Sequence, residues 1–256
     1  FYYMPTFIKL EGTCNTRDIG NIITEYKRKI KSGILYRSDK LSYATEKDYD
    51  KLRSYGIKNI IDLRSINEKE REPNIIPSDF NYIEIPISLD KKILNEMKMN
   101  LTYSRFSNLD NIMKRCNRDF VVKHSKEFAN VLNAILEYKS PTLFHCSFGK
   151  DRTGFVTALI YYICGVPKEE IYYEYVLSNT YITKNIKSEY EHLKKILKLE
   201  DNNIVNIMPL LTVKKEYLHE SFNSAKNIYG SFYNFIRDKM YFDDSKQYQL
   251  RQFLLE

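Results

Sequence analysis

The residues best suited to chemistry lie in one stretch of the chain, His145-Cys146-Ser147-Phe148-Gly149-Lys150-Asp151-Arg152-Thr153-Gly154. Five residues separate the cysteine from the arginine. The stretch follows a predicted strand, 142–145, and opens an apolar helix, 155–164. A loop in front of a helix N-terminus presents backbone N–H groups to an anion, and the helix dipole stabilises a thiolate there. The pattern therefore predicts an oxyanion site beside an ionised sulfur.

Three side chains of this loop form a plausible set for phosphate ester chemistry. Cys146 would attack phosphorus and form a phosphocysteine. The planar fork of Arg152 would bind two phosphoryl oxygens and stabilise the transition state. Asp151 would protonate the leaving oxygen and then activate water, although it could instead only pair with a neighbouring cation. Asp110 and Asp119 are the reserve candidates for the acid.

The rest of the loop is expected to bind phosphate or to support the loop. The predicted phosphate-binding residues are Ser147, Phe148, Gly149, Lys150, Asp151 and Arg152. Lys150 would place a charge at the mouth of the loop and favour substrates with several phosphates. The Thr153 hydroxyl would assist the departure of sulfur, and His145 would orient the loop through a hydrogen bond rather than act as a base.

The surrounding elements predict an α/β fold with a mainly parallel sheet, flanked by helices and followed by a helical C-terminal part. Strands are predicted at 34–38, 57–64, 82–87 and 142–145, and helices at 45–56, 121–138 and 155–164. Thr45 and Asp48 form the pattern of a capping box. After Pro167, apolar residues recur at helical spacing in two stripes, which run through 182–197 and 217–228.

We expect one domain over residues 1–256, since no repeat or Pro/Gly/Ser-rich linker interrupts the chain. The segment 88–120 has no clear period and is predicted to be either a variable lid or recognition insert, or a solvated excursion.

The composition gives weaker guidance on partners and location. The formal net charge is +7, from 40 basic and 33 acidic residues that are interspersed. This balance modestly favours anionic partners and leaves contact with a membrane surface open, but no zinc-finger or RNA-binding signature points to nucleic acid. Four scattered cysteines suggest reduced thiols, so we expect a cytoplasmic location; a secreted chain that had already lost its signal would look the same.

The stretch HCSFGKDRTG resembles the loop HCxxGKDRTG of bacterial and fungal protein-tyrosine phosphatases. Further stretches match motifs of that family in the same order and cover nearly the whole chain: NTRDIG (15–20), LYRSDKLSYAT (35–45), GIKNIIDLRSINEKEREP (56–73), EYVLSN (174–179) and KEYLHESFNSAKNIYGSFYNFI (215–236). The chain departs from the family at Asn21, where a glycine is common, and at Phe148, where alanine is common.

The resemblance implies the cysteine-phosphatase fold, no metal, no cofactor, and hydrolysis of phosphotyrosine in phosphoproteins to give inorganic phosphate. Some members also act on phosphoserine, phosphothreonine or phosphoinositides, and a phosphoinositide phosphatase is the main alternative. Family members use the loop aspartate as the acid, which matches Asp151. A phosphate-binding pseudoenzyme and a rhodanese-type sulfurtransferase fit the intact loop less well.

The family motifs also contain polar residues that we expect to form a buried network behind the loop, or else to touch substrate: Asn15, Arg17, Asp18, Arg37 and Arg64. Cys14 lies next to this group in the sequence. Oxidation could join it to Cys146 in a protective disulfide.

Overall fold

The computed structural model describes residues 4–200 and 203–256, and within them five strands form one sheet in the order β1-β2-β5-β3-β4. The strands are β1 (Arg17–Asp18), β2 (Leu35–Ser38), β3 (Asn59–Asp62), β4 (Asn81–Glu84) and β5 (Thr142–His145). β1 pairs antiparallel with β2, and every other pair is parallel. The predicted α/β class and mainly parallel sheet are confirmed. β1, with two residues, is too short to leave a periodic signal in the sequence.

Burial explains why the central strands were visible in the sequence. β2, β3 and β5 are buried at all four of their residues, and each contains two consecutive apolar or aromatic residues beside its buried polar ones. β4 lies at the edge of the sheet and is half exposed. Because parallel strands end at the same edge, the loop after β5 leaves the sheet between the ends of β2 and β3.

The first five helices are α1 (Glu46–Ser54), α2 (Ile66–Arg71), α3 (Lys91–Thr102), α4 (Leu109–Val122) and α5 (Ser125–Tyr138). The predicted capping box at the start of α1 is present, with both reciprocal bonds between Thr45 and Asp48. The single helix predicted over 121–138 is wrong at its start, because a break separates α4 from α5. The change of direction brings Phe120 of α4 edge-on to Phe128 of α5, with ring centroids 5.4 Å apart.

The segment 88–120 forms α3, a short 3-10 helix (Phe106–Asn108) and most of α4. The apolar face of α4 is buried, and Ser221 donates a hydrogen bond of 2.6 Å to the Asn117 carbonyl oxygen. This packing does not fit a solvated excursion, since the second half of the segment is part of the core.

The remaining α-helices of the described residues are α6 (Arg152–Ile163), α7 (Lys168–Val176), α8 (Ser178–Ile182), α9 (Ile186–Leu197), α10 (Met208–Leu211), α11 (Lys215–Tyr229), α12 (Phe232–Asn234) and α13 (Asp244–Leu254). α6 is buried around almost its whole circumference and fills the centre of the main apolar cluster. The stripe on α11 packs into this cluster, except for Ile228, which is exposed. Within the described ranges, no helix combines the length and the apolar character needed to cross a bilayer.

Candidate active site

The loop from Cys146 to Asp151 joins the end of β5 to the start of α6. Cys146 is 2% exposed, at the base of this loop. The Cys146 carbonyl oxygen lies 2.8 Å from Nδ1 of His145, and the Ser147 carbonyl oxygen accepts a hydrogen bond of 3.0 Å from the backbone N–H of Lys40. These two carbonyls therefore point outward, into the protein.

The next two carbonyls of the loop are held in the same way by buried side chains. Asn15 Nδ2 donates to the carbonyl oxygens of Phe148 (3.3 Å) and Gly149 (3.0 Å). Arg37 Nη2 donates to the Gly149 carbonyl oxygen at 2.6 Å. Four successive carbonyls thus have partners on the outer side of the loop.

The outward carbonyls fix the direction of the loop amides. In a trans peptide the C=O of one residue and the N–H of the next point in opposite directions. The N–H groups that follow the four carbonyls therefore face the inside of the loop, and they belong to Ser147, Phe148, Gly149 and Lys150. The first N–H groups of α6 add to them, since no side chain caps this helix. The result is a ring of donors suited to a tetrahedral oxyanion.

Gly149 is required where the loop crosses β2. Its φ is +66°, and a Cβ there would lie 2.5 Å from the Ser38 carbonyl oxygen and 2.6 Å from the Asp39 nitrogen. Any other residue would push the loop away from the strand.

Behind the loop lies a buried network that we call the rear network, formed by Asn15, Arg17, Arg37, Glu174 and Ser178. The Glu174 carboxylate, on α7, forms ion pairs with Arg17 (Nη2–Oε1, 2.9 Å) and Arg37 (Nη1–Oε2, 2.7 Å), and neither arginine side chain is exposed. Burial, and then the neighbouring charge of Arg17, lower the pKa of Arg37 to about 10. The Ser178 hydroxyl lies 3.2 Å from Nδ2 of Asn15. The rear network holds the Gly149 carbonyl, and all of its side chains are buried.

Asp18 and Arg64 do not contact the loop. Asp18 points to the other face of β1 from Arg17 and accepts the backbone N–H groups of Gly20 and Gly33, each at 2.7 Å. Arg64 pairs with Asp62 at 2.9 Å and reaches the loop only indirectly, since Asp62 lies near His145. Arg64 therefore belongs to a buried polar network around His145, whereas Asp18 bonds the backbone of Gly20 and Gly33 instead, so the expectation that Asp18 supports the loop is wrong.

Arg152 stands in front of the loop, on the first residue of α6. Both of its terminal nitrogens donate to Glu68 of α2 at 2.7 Å, and Nη1 also donates to the Ile87 carbonyl oxygen at 3.0 Å. Ser65 and Glu68 form a capping box that fixes the start of α2. Burial alone would raise the pKa of Glu68, but the charge of Arg152 and these hydrogen bonds lower it to about 2. Glu68 thus holds the guanidinium plane in place.

The sulfur of Cys146 receives a hydrogen bond from the first turn of α6. The Thr153 hydroxyl donates to Sγ at 3.0 Å. The amide ring and the N-terminus of α6 face the same region, so the arrangement stabilises negative charge on the sulfur. Thr153 lies where it could assist a departing thiolate.

Lys150 does not lie at the mouth of the loop, and that expectation is wrong. It is 2% exposed, and its Nζ donates to Asp151 Oδ2 at 2.7 Å and to the Thr212 carbonyl oxygen at 3.2 Å. The ammonium faces inward because two oxygens are available there. Asp151 is 19% exposed at the start of α6, within the loop itself.

His145 is fully buried, and burial lowers the pKa of its imidazole. Nδ1 faces the Cys146 carbonyl oxygen, so Nδ1 carries the proton. Nε2 is then the acceptor for Asn74 Nδ2, at 2.9 Å. A neutral ring bonded on both sides is placed to orient the loop.

The reserve acids are engaged elsewhere. Asp110 accepts Lys214 at 2.8 Å and the Tyr217 hydroxyl, and Asp119 lies 3.3 Å from Lys123. Neither forms a direct contact with the loop among the interactions of the described residues.

Cys14 is a free thiol, as are the other three cysteines. It donates to Asp39 Oδ2 at 3.4 Å, and burial, followed by the charge of Asp39, raises the pKa of the thiol. A protonated thiol is a poor nucleophile toward an oxidised sulfur, which disfavours a disulfide between Cys14 and Cys146. That disulfide stays a prediction.

Sequence reasoning missed three residues that position the loop, namely Glu68, Glu174 and Ser178. The last two lie in the stretch EYVLSN, which was recognised as a motif but given no role. Glu68 lies in the family stretch 56–73, four residues after Arg64, and its capping-box spacing from Ser65 also marks it. No group of three or more His, Cys, Asp or Glu residues in 4–200 and 203–256 could hold a metal ion.

Comparison with known proteins places the chain among phosphatases. The model of the tyrosine phosphatase family matches residues 8–256. A putative tyrosine-protein phosphatase of Cupriavidus necator is 29% identical over 90% of this chain and 82% of its own length. The triple specificity protein phosphatase PtpB of Mycobacterium tuberculosis is 27% identical over 90% of this chain and 92% of its own. The solved structure of Pseudomonas aeruginosa TpbA is more remote: 18% identity, a TM-score of 0.35, and coverage of 58% of this chain and 71% of that one.

Proposed function

Because this chain belongs to the tyrosine phosphatase family, we propose that it hydrolyses phosphotyrosine in proteins through a phosphocysteine on Cys146. The observation that carries the proposal is the ring of inward amides, closed in front by Arg152. The ring offers a donor to each phosphoryl oxygen, and the cysteine sulfur lies at its base.

The first step transfers phosphorus from oxygen to sulfur. The Cys146 thiolate attacks phosphorus, the S–P bond forms, and the bond from phosphorus to the ester oxygen breaks. Arg152 and the loop amides hold the charge of the phosphoryl oxygens during this exchange. The Asp151 carboxyl gives its proton to the leaving oxygen, so the alcohol departs neutral.

The second step returns the enzyme to its starting state. The Asp151 carboxylate takes a proton from water, which attacks phosphorus as the S–P bond breaks. Thr153 donates its hydroxyl to the departing sulfur. Inorganic phosphate leaves, and the Asp151 carboxyl is protonated again.

We further propose activity on phosphoserine and phosphothreonine. An acid within the loop assists poor leaving groups such as alkoxides, and Asp151 occupies that position. The relative from M. tuberculosis carries triple specificity in its name. The phosphoinositide alternative loses one of its supports, because the Lys150 ammonium is bound to Asp151 and to the Thr212 carbonyl; the basic charge balance and the segment 88–120 still favour it.

The proposal is tested by Cys146→Ser. We expect hydrolysis of 4-nitrophenyl phosphate to fall by at least about 10⁴-fold, since serine is a far weaker nucleophile. Binding of inorganic phosphate, measured by calorimetry, should remain because the amide ring is intact. Cys164→Ala, at the far end of α6, is the matched control and should keep its activity. Undiminished turnover in Cys146→Ser would refute the covalent mechanism.

A panel of substrates then defines the specificity. Phosphotyrosine, phosphoserine and phosphothreonine peptides should all be hydrolysed, with phosphotyrosine fastest. A soluble inositol phosphate should react more slowly than any of the peptides. The reverse order would favour the phosphoinositide alternative.

A further inference from the structure

Tyr175 is a buried phenol beside the loop whose hydroxyl lacks a hydrogen-bond partner of good geometry. The side chain, on α7, is 1% exposed. Among the described residues, the buried side-chain oxygens without a hydrogen-bond partner include the Tyr175 hydroxyl and Asp151 Oδ1. The two groups interact: burial, and then the charge of Asp151, raise the pKa of Tyr175 well above 10. The phenol therefore keeps its proton at neutral pH, and the nearby carboxyl has a buried oxygen without a donor.

The place of the phenol depends on Gly154. A Cβ on Gly154 would lie 2.7 Å from Cε2 and 2.8 Å from Cδ2 of Tyr175. The absence of a side chain lets the ring rest on the first turn of α6. Asp151 lies three residues before Gly154, one turn earlier on that side of the helix, and its charge acts on the Tyr175 hydroxyl.

The other oxygen of the carboxyl is held by Lys150, at 2.7 Å from Oδ2. Lys150 is itself fixed by the Thr212 carbonyl. The segment that contains Thr212 is hydrogen-bonded to α8: the Asn179 side chain donates to the Val213 carbonyl oxygen at 2.8 Å and accepts from the Val213 N–H at 2.9 Å. α7 and α8 therefore support both sides of the carboxyl, Tyr175 directly and Asn179 through the segment that holds Lys150.

We propose that Tyr175 is a positioning residue for the Asp151 carboxyl, whose hydroxyl restrains Oδ1 while Lys150 restrains Oδ2. The inference rests on the proposed role of Asp151 as the general acid. In the first step the carboxyl proton moves to the leaving oxygen as the bond to phosphorus breaks. Tyr175 keeps its own proton and donates a hydrogen bond to the carboxylate that remains. Its contribution is largest when the leaving group needs that proton most.

The test compares alkyl with aryl substrates in Tyr175→Phe, which keeps the ring on Gly154 and removes only the hydroxyl. We expect kcat for a phosphoserine peptide to fall about tenfold, a part of the 10²–10⁴-fold that a general acid supplies. With 4-nitrophenyl phosphate, whose leaving group needs no proton, kcat should fall only about twofold. KM should change little for either substrate. The matched control is Tyr172→Phe on the same helix, whose hydroxyl contacts His219 outside the site and whose loss should leave both rates unchanged.

A double-mutant cycle with Asp151→Asn separates the two proposals. Asp151→Asn alone should damage phosphoserine turnover more than aryl turnover, and equal losses would sink the acid assignment and the role of Tyr175 with it. If Asp151→Asn behaves as expected, adding Tyr175→Phe should cause little further loss, because the group it positions is gone. Losses that multiply in the double variant, or a Tyr175→Phe effect equal on both substrates, would show that the phenol supports the fold alone.

Discussion

The two sides of the phosphate loop are both built from charges, but in different surroundings. In the rear network the side chains of Arg17 and Arg37 are fully buried, and Glu174 is 2% exposed. In front, Arg152 is 12% exposed and its partner Glu68 is 25% exposed. The rear charges have only protein partners, whereas the front pair borders the space in which a phosphate would lie.

This difference separates two tasks that one motif carries. A buried charge that loses its partner has no water to solvate it, which destabilises the fold. The rear network therefore chiefly maintains the structure of the loop. A guanidinium at the rim can keep one partner and take a phosphate as another, so the front pair chiefly serves the reaction. Mutations in the rear network should therefore chiefly lower the free energy of unfolding, and mutations of the front pair should chiefly lower kcat/KM.

The largest effect on stability is expected behind the loop. Glu174→Ala leaves two buried arginines without their carboxylate and should lower the free energy of unfolding by about 3–5 kcal/mol, as measured by urea denaturation. Glu169→Ala, on the same helix, removes an exposed pair with Lys215 and should cost less than about 1 kcal/mol. Similar losses of unfolding free energy in the two variants would mean that the rear network contributes no more to stability than an exposed ion pair.

The front pair should respond in catalysis. Glu68→Gln keeps the shape of the side chain but removes the charge that holds the Arg152 plane. We expect kcat/KM for phosphotyrosine peptides to fall about tenfold, since small misplacement of a catalytic group is costly. Glu70→Gln, an exposed position on the same short helix, is the control. If Glu68→Gln lost stability as Glu174→Ala does while each remaining folded molecule kept full activity, the division between front and rear would fail.

The smallest expected effect is the pH dependence of the front pair. The pKa of Glu68 is about 2 in the folded chain against an ordinary value of 4.5, so the unfolded chain binds this proton more tightly. The stabilisation by the pair is complete above pH 4.5 and is lost as the pH falls toward 2. The stability difference between wild type and Glu68→Gln, followed by denaturant unfolding from pH 7 to pH 3, should shrink on acidification. A difference that stays constant would contradict the pairing.

The longer strands, the first helix and the loop of this fold could be predicted from the sequence because each of them depends on residues that are close together in the chain. Each central strand contains two consecutive apolar or aromatic residues, and the capping box at Thr45 involves residues three apart. The loop was also visible, since its residues are consecutive and the helix after it is apolar. The rear residues Asn15, Arg17 and Arg37 were expected behind the loop from family motifs, and they lie there.

What sequence could not give is the choice of partner for long side chains. Arg37 and Glu174 are 137 residues apart, and nothing local links them. Lys150 is part of the loop itself, yet its four-carbon side chain places the ammonium inward, against the Thr212 carbonyl 62 residues away. Asp18 was grouped with Arg17 although neighbouring strand residues face opposite ways, and that error could have been avoided had the short strand been recognised.

The outward carbonyls of the loop have a consequence for selectivity. Since the donors are aimed before any ligand arrives, the protein need not rearrange to receive a tetrahedral anion, and it gains little power to tell one such anion from another. Sulfate, arsenate and vanadate meet the same geometry as the phosphoryl group, and the released phosphate competes with fresh ester for the same cradle. Discrimination among substrates must then come from the walls that meet the rest of the molecule, so these surfaces, more than the loop, decide which phosphorylated partner the enzyme serves.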